Sequence, residues 1–260
     1  MTFKERYGSY ALITGASSGI GEEFSRILAR KGLNLVLAAR RRERLEALAA
    51  ELKSGHGVET VVLETDLSRD GGWEELVAKT KERDIGLLVN NAGFGYYGRL
   101  VDQKDERLEE MIRLNVLAFT MLTKAFASRF MARKRGGVIL VSSLAAFQPT
   151  PGMALYGATK GFELLLGEAF SQELKGRGVD VTVLCPGATL TEFQLVAGGV
   201  PHSGMSAADV AMCAVKALGK RRVAIPGPAN KITGKLHRFL PRSVVRWAAA
   251  KALAHYLPRE

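Results

Sequence analysis

Three side chains able to handle a proton stand near one another in the sequence. Tyr156 and Lys160 fall four residues apart in Tyr156-Gly157-Ala158-Thr159-Lys160, and Ser143 lies thirteen residues before Tyr156. Residues i and i+4 of a helix share a face, so Tyr156 and Lys160 can address one reacting atom. A free tyrosine titrates near ~10 and is a poor acid or base at neutral pH. A neighbouring ammonium favours the phenolate and brings the group toward the working range. Tyr156 would donate a proton to a carbonyl oxygen as hydride reaches the carbonyl carbon, with Ser143 holding that oxygen. In alcohol oxidation the same steps reverse. Tyrosine and lysine meet at this spacing on many surface helices, so the pair gains its meaning from a second feature.

That feature is Thr14-Gly15-Ala16-Ser17-Ser18-Gly19-Ile20-Gly21 near the N-terminus. Its glycines would serve a tight turn, a close backbone approach to a pyrophosphate and close packing of helix on strand. Amides at the start of the following helix would face the phosphates. Between a buried strand and a helix such a loop reads as a dinucleotide site, with Gly15, Ser17, Ser18, Gly19, Ile20 and Gly21 as its contacts. Cofactor choice is set about 20 residues further on. There the chain reads Ala38-Ala39-Arg40-Arg41-Arg42, with no acid until Glu43. Guanidinium groups suit a 2′-phosphate, and Arg40 falls at the strand end, so NADP(H) is the expected cofactor. Arg42 and Arg44 fit a solvated helix face shared with Glu43 and Glu46.

The elements that must position these residues alternate. Apolar runs at 10–14, 33–39, 58–63, 85–89, 137–142, 179–184 and 222–225 read as strands. Helical periodicity covers 22–31, where Phe24, Ile27 and Leu28 form one face, and 41–52, 72–83, 108–133, 153–175 and 207–218. Continuous apolar strands alternating with helices predict an α/β fold, a single-domain doubly wound Rossmann-type parallel sheet with helices on both faces.

In this arrangement the chain resembles the short-chain dehydrogenase/reductase family, in its compact single-domain branch. The resemblance spans roughly residues 8–230 and rests on six motifs in order: Gly15, Gly19 and Gly21; Asp66; Asn91-Ala92-Gly93; Ser143; Tyr156 with Lys160; and Pro186-Gly187 followed by Thr191. It implies that Asp66, with Leu67, meets the adenine and that Asn91 stabilises the central sheet beside Ala92 and Gly93. Pro186, Gly187, Thr189 and Thr191 would cover the nicotinamide. It also implies that Asn115 is a fourth catalytic residue, holding a water that links Lys160 to solvent; stabilisation of a helix kink is an equally open role. None of the four catalytic positions departs from the pattern. A homodimer or homotetramer built on the helices at 108–133 and 153–175 is implied as well.

Composition narrows the rest. Residues 1–230 read as the catalytic domain and 231–260 as a basic helical extension. Residues 220–260 hold ten Lys or Arg against one acid, whereas 1–219 hold 27 bases and 25 acids. The charge therefore belongs to the tail, which argues against nucleic acid as a partner. Pro241 suits a first helical position. Arg242, Arg246 and Lys251 flank Val245, Trp247, Ala249, Leu253, Tyr256 and Leu257, which fits a membrane interface, a helix docked on the body or a subunit contact. Residues 1–6 lack the apolar run and small-residue cleavage site expected of a signal peptide, no stretch approaches the length expected of a membrane span, and two cysteines are expected to give neither a disulfide framework nor a metal site. A cytoplasmic enzyme is expected. Phe94, Leu144, Phe147, Met153 and Phe193, with Tyr96 and Leu195, are the expected pocket for a hydrophobic ketone or secondary alcohol, of fatty-acyl, steroid-like or xenobiotic type. Arg99 is the one basic side chain near these segments that could meet a carboxylate. The rival reading is a nucleotide-binding scaffold recruited to membranes or partners through its tail.

Overall fold

The computed structural model describes residues 2–200, 203–236 and 239–254. After a short helix α1 (Phe3–Tyr7), the chain runs β1 (Tyr10–Thr14), α2 (Gly19–Arg30), β2 (Asn34–Ala39), α3 (Arg42–His56), β3 (Thr60–Glu64), α4 (Gly72–Lys79) and β4 (Ile85–Asn90). It continues through α5 (Asp105–Ile112), α6 (Phe119–Ala132), β5 (Gly136–Val141), α7 (Ala154–Glu173) and β6 (Val179–Leu184). Two very short strands, β7 (Thr189–Leu190) and β8 (Met205–Ser206), flank α8 (Phe193–Val196) and pair with each other. The helix α9 (Ala207–Ala217), strand β9 (Val223–Ala224) and helices α10 (Pro228–Leu236) and α11 (Arg242–Ala254) complete the chain.

Seven strands form one parallel sheet in the order β3-β2-β1-β4-β5-β6-β9. Because strand side chains alternate faces, each strand feeds two cores. Ala11, Ile13, Leu35, Leu37, Leu87 and Val89 point to one side, where α2, α3 and α9 supply Phe24, Leu48 and Val210. Leu12, Val36, Leu88 and Val138 point to the other, against Leu76 of α4, Phe126 of α6 and Leu164 of α7. Burial on both faces is why these strands read as unbroken apolar runs, and the doubly wound expectation holds.

The helix expected over 108–133 is not continuous α-helix. Residues Arg113–Ala118 form a π-helical stretch between α5 and α6. Asn115 explains it: the Nδ2 group donates to the Phe94 carbonyl (2.9 Å) and Thr159 Oγ1 (3.1 Å), and Oδ1 accepts the Phe94 amide (3.2 Å). A side chain anchored this way holds the extra residue of the wide turn in place. The described part of the tail holds two helices, α10 and α11. Pro241 precedes the first turn of α11, its carbonyl accepting the Val244 and Val245 amides at 3.0 and 3.1 Å. Val245 and Ala249 are buried, whereas Trp247 stays 60% exposed; Tyr256 and Leu257 lie outside the described residues. Among the described residues no helix is long and apolar enough to cross a membrane.

Candidate functional site

The sheet reverses its winding between β1 and β4, since β2 and β3 lie on one side of β1 and later strands on the other. Ligands of open α/β sheets bind in the crevice at such a switch point, beyond the carboxyl ends of the strands. Thr14 and Asn91 tie that crevice together. The Asn91 and Ala92 amides donate to Thr14 Oγ1 (2.9 and 3.0 Å), and Asn91 Nδ2 donates to the Thr14 carbonyl at 2.9 Å. These bonds join the end of β1 to the end of β4.

The glycine loop forms a cradle that only glycine fits. A Cβ at Gly21 would stand 2.2 Å from the Gly15 carbonyl oxygen, and one at Gly15 would stand 2.8 Å from Asn91 Nδ2. Gly15 and Gly19 both have positive φ, 68° and 58°. The first turn of α2 receives no hydrogen bond from the Ser18 side chain, so its amides are left for another acceptor. Loop and helix start therefore fit a dinucleotide pyrophosphate, with Ser17 and Ile20 lining the same turn. Thr191 lies against Gly19, where a Cβ would come within 2.8 Å of its methyl group. The segment after β6 thus folds back over the loop, carrying Thr189, whose hydroxyl donates to the Gly187 carbonyl at 3.0 Å. Gly187 itself is packed under Asn230 of α10, and the Pro186 carbonyl accepts the Leu144 amide at 2.8 Å.

The arginine that bonds this loop is Arg41, the neighbour of the expected Arg40. Arg40 is exposed and pairs with Glu110 of α5 at 3.1 Å. It lines an open groove of about 520 Å3 together with Arg42, Asp66 and Arg69. Arg41 lies directly on the phosphate loop, donating to Ser18 Oγ at 2.6 Å and Ser17 Oγ at 3.2 Å. Its remaining nitrogen pairs with Glu192, just before α8, at 2.8 Å, and Arg44 reaches the same carboxylate at 2.7 Å. Hydrogen bonds from Arg41 and Arg44 hold the Glu192 carboxyl below its usual range. Asp66 sits beside the groove, accepting from the Ser68 amide and hydroxyl, and Leu67 is buried behind it.

At the other end of the crevice, Tyr156 and Lys160 share the buried face of α7, and Ser143 ends the loop after β5. Tyr156 is only 9% exposed, and Ser143 is near enough to act on its phenol. Lys160 Nζ stands 5.8 Å from the ring centroid and donates to the Val141 carbonyl at 3.1 Å. A Cβ on Gly93 would approach that Nζ to 3.3 Å and Asn115 Oδ1 to 3.1 Å, so the Gly93 position is reserved for close passage. Burial pushes the Tyr156 phenol above its ordinary value; Lys160 and Ser143 pull it down, and Glu163 adds to the rise. The expected lowering by Lys160 is thus present in sign but outweighed by desolvation.

Around Tyr156 lies a small apolar cluster of Phe94, Tyr97, Met111, Met153 and Ala197, with Tyr96 and Phe193 packed against it. The Phe193 and Tyr156 rings stand 5.4 Å apart. Of the expected pocket residues, Phe94, Met153 and Phe193 gather here. Leu144 and Phe147 instead face Gly234 of α10, and Leu195 is exposed. Arg99 pairs with Asp102 at 2.6 Å, on the surface. Tyr97, Arg41 and Glu163 escaped the sequence reading, though Glu163 is detectable as the i+7 neighbour of Tyr156 on one helix face.

The chain from residue 9 to residue 197 matches the family model described as short chain dehydrogenase. It belongs to the short chain dehydrogenase family. This short chain dehydrogenase is 36% identical over 240 residues to a 7β-hydroxysteroid dehydrogenase of Collinsella aerofaciens, an alignment taking in 89% of this chain and 90% of the relative. A solved structure from work on 7β-hydroxysteroid dehydrogenase stereoselectivity superimposes with a TM-score of 0.90 at 32% identity, covering 96% of this chain and 99% of that one. A short-chain dehydrogenase from Sphingobium yanoikuyae, solved with NADPH, gives 0.81 at 38% identity, covering 84% and 88%. The enzyme is thus an oxidoreductase similar to those that act on hydroxyl groups of steroid-like molecules.

Proposed function

We propose that this short chain dehydrogenase is an NADPH-dependent reductase of bulky hydrophobic ketones, working in reverse as a secondary-alcohol dehydrogenase. The observation that carries the reading is a buried Tyr156 set between Ser143, Lys160 and the apolar cluster of Phe94, Met153 and Phe193. When bound, NADPH supplies the hydride. Tyr156 gives its hydroxyl proton to the carbonyl oxygen, Ser143 holds that oxygen, and Lys160 stabilises the phenolate left behind and binds the nicotinamide ribose. Asn115 positions the Lys160 face of α7 through Thr159 and lies where a water leading to solvent would bind. Gly15, Ser17, Ser18, Gly19, Ile20 and Gly21 hold the pyrophosphate; Asp66 and Leu67 hold the adenine; Asn91, Ala92 and Gly93 line the crevice floor. Pro186, Gly187, Thr189 and Thr191 cover the nicotinamide. Arg40 and Arg41 take the 2′-phosphate.

The names of the relatives support steroid-sized or similarly large substrates, and the aromatic lining agrees. Each methylene buried from water contributes about 0.8 kcal/mol. A ketone larger than acetone by two or more buried methylenes should therefore show kcat/KM at least about tenfold higher. A panel running from short aliphatic ketones to steroid and long-acyl ketones checks this; equal kcat/KM across the panel would remove the pocket from the reading.

The same proposal includes a second copy of the chain. Ile112, Leu117, Phe162 and Leu165 lie exposed on the neighbouring α5, π-helical and α7 surfaces, and a homodimer or homotetramer would cover them. In the tail, burial of Val245 and Ala249 favours a helix docked on the body. The exposed Phe239 and Trp247 beside Arg242, Arg246 and Lys251 favour an added peripheral contact with an anionic membrane surface. A cytoplasmic location goes with this reading.

A further inference from the structure

One buried charge in the site is not used by the reaction just described. Glu163 is fully buried, and both its carboxylate oxygens accept from Lys160 Nζ at 2.9 Å. The Val141 carbonyl is a further acceptor of the same ammonium, at 3.1 Å. Tyr156, Lys160 and Glu163 follow one another along one face of α7, at i, i+4 and i+7. A buried ion pair of this kind is weak ground for stability, since well-packed apolar residues of the same volume often do as well or better. Its effect must therefore be sought in the chemistry of its neighbours.

Among the described residues, the ionisable groups that act on Glu163 or feel its charge belong to this site. Lys160 and Tyr156 come from α7; the Cys185 thiol comes from the end of β6, pushed up by burial with Glu168 and Glu163 adding to the rise. Burial pushes the Glu163 carboxyl up to about 7, against the pull of Lys160. Burial also opposes the Lys160 charge, but Glu163 and Tyr156 more than offset it, and the ammonium is held above its ordinary value.

We propose that Glu163 is a positioning residue: by neutralising Lys160 it keeps the proton on the Tyr156 hydroxyl into alkaline solution, which makes the site a donor to ketones more than an acceptor from alcohols. This rests on the reading of Tyr156 as the proton donor. In reduction the Tyr156 O–H bond breaks as the new alcohol O–H bond forms and the carbonyl carbon takes hydride. The phenolate then regains its proton from water. With the Glu163 carboxylate present, Tyr156 and Lys160 lose their first proton from a net neutral cluster and leave a buried negative charge. Without it they lose that proton from a net positive cluster and leave a neutral one. The proton should therefore depart at lower pH once the carboxylate is gone, as an opposite charge within a few ångströms shifts a group by about 1–3 units.

The test is the pH profile of kcat/KM for ketone reduction by wild type and Glu163→Gln, joined to ultraviolet titration of the phenolate. Each phenolate titration is corrected by the matching Tyr156→Phe chain, which removes the signal of the other five of the six tyrosines. The alkaline limb and the Tyr156 titration should both move to lower pH by at least about one unit in Glu163→Gln. A limb that stays in place overturns the proposal. So does a limb that moves without the Tyr156 titration, because the proton then leaves Lys160. Should Glu163→Gln fail to fold, Glu163→Met removes the same charge and is read in the same way. If wild type reduces no ketone, the proposed function fails, yet the phenolate titration needs no turnover and still reads the effect of Glu163.

Discussion

Replacing Tyr156 by phenylalanine is expected to lower kcat for ketone reduction by roughly 10²–10⁴-fold, the usual contribution of a positioned general acid, with NADPH binding kept. The ring stays as it is: its contacts with Phe193, Met153 and Phe94 are apolar, and none depends on the hydroxyl. What leaves is the one proton that sits beside Ser143. Loss of kcat with unchanged NADPH affinity assigns the effect to proton transfer. The measurement is steady-state kinetics beside a fluorescence titration with NADPH. Turnover within a few fold of wild type would remove Tyr156 from the chemistry.

The second large effect falls on cofactor choice. Arg41 bonds both serines of the phosphate loop, and its guanidinium shares Glu192 with Arg44 at the edge of the cradle. Arg40 lies one residue away, at the end of β2 beside Asp66. A hydrogen bond to a charged group contributes about 1.5–3 kcal/mol. Arg41→Ala should therefore raise the Kd for NADPH roughly 10- to 100-fold, and the double change with Arg40→Ala should raise it further. The Kd for NADH should hardly move, because NADH lacks the 2′-phosphate. Calorimetric titration of both cofactors measures the two constants. Equal losses for NADPH and NADH would mean that the arginines shape the loop without reading the phosphate.

Much of this site is legible in the sequence, for identifiable reasons. Strands buried on both faces, such as β1, β2 and β4, must be apolar throughout, and the face of α2 that covers them must repeat Phe24, Ile27 and Leu28. The glycines at 15, 19 and 21 are legible because no side chain fits where their Cβ atoms would fall. The π-helical turn at 113–118 is not, since the bonds that anchor its Asn115 run to the backbone of Phe94, twenty-one residues away in the chain. The choice between Arg40 and Arg41 is hidden as well: of three consecutive arginines, the path of the chain leaving β2 decides which one turns back onto Ser17 and Ser18. Nothing in the sequence around Glu163 marks it as a buried acid. Only the packing of α7 against β5 and β6 shows that it is buried beneath Lys160. The neighbourhood of Leu144 and Phe147 is hidden for a related reason, because α10, which they face, lies mostly in a part of the chain read only as a basic extension.

The most direct test of hydride transfer at this site is to mix the full chain with NADPH and a steroid-sized ketone and follow both reactants. The reduced-nicotinamide absorbance reports NADPH, and chromatography quantifies the alcohol. The expected result is one alcohol formed for each NADPH consumed, with NADH a markedly poorer donor. Tight binding of NADPH with no consumption against any ketone, short or bulky, would contradict an enzyme and leave a nucleotide-binding scaffold in its place.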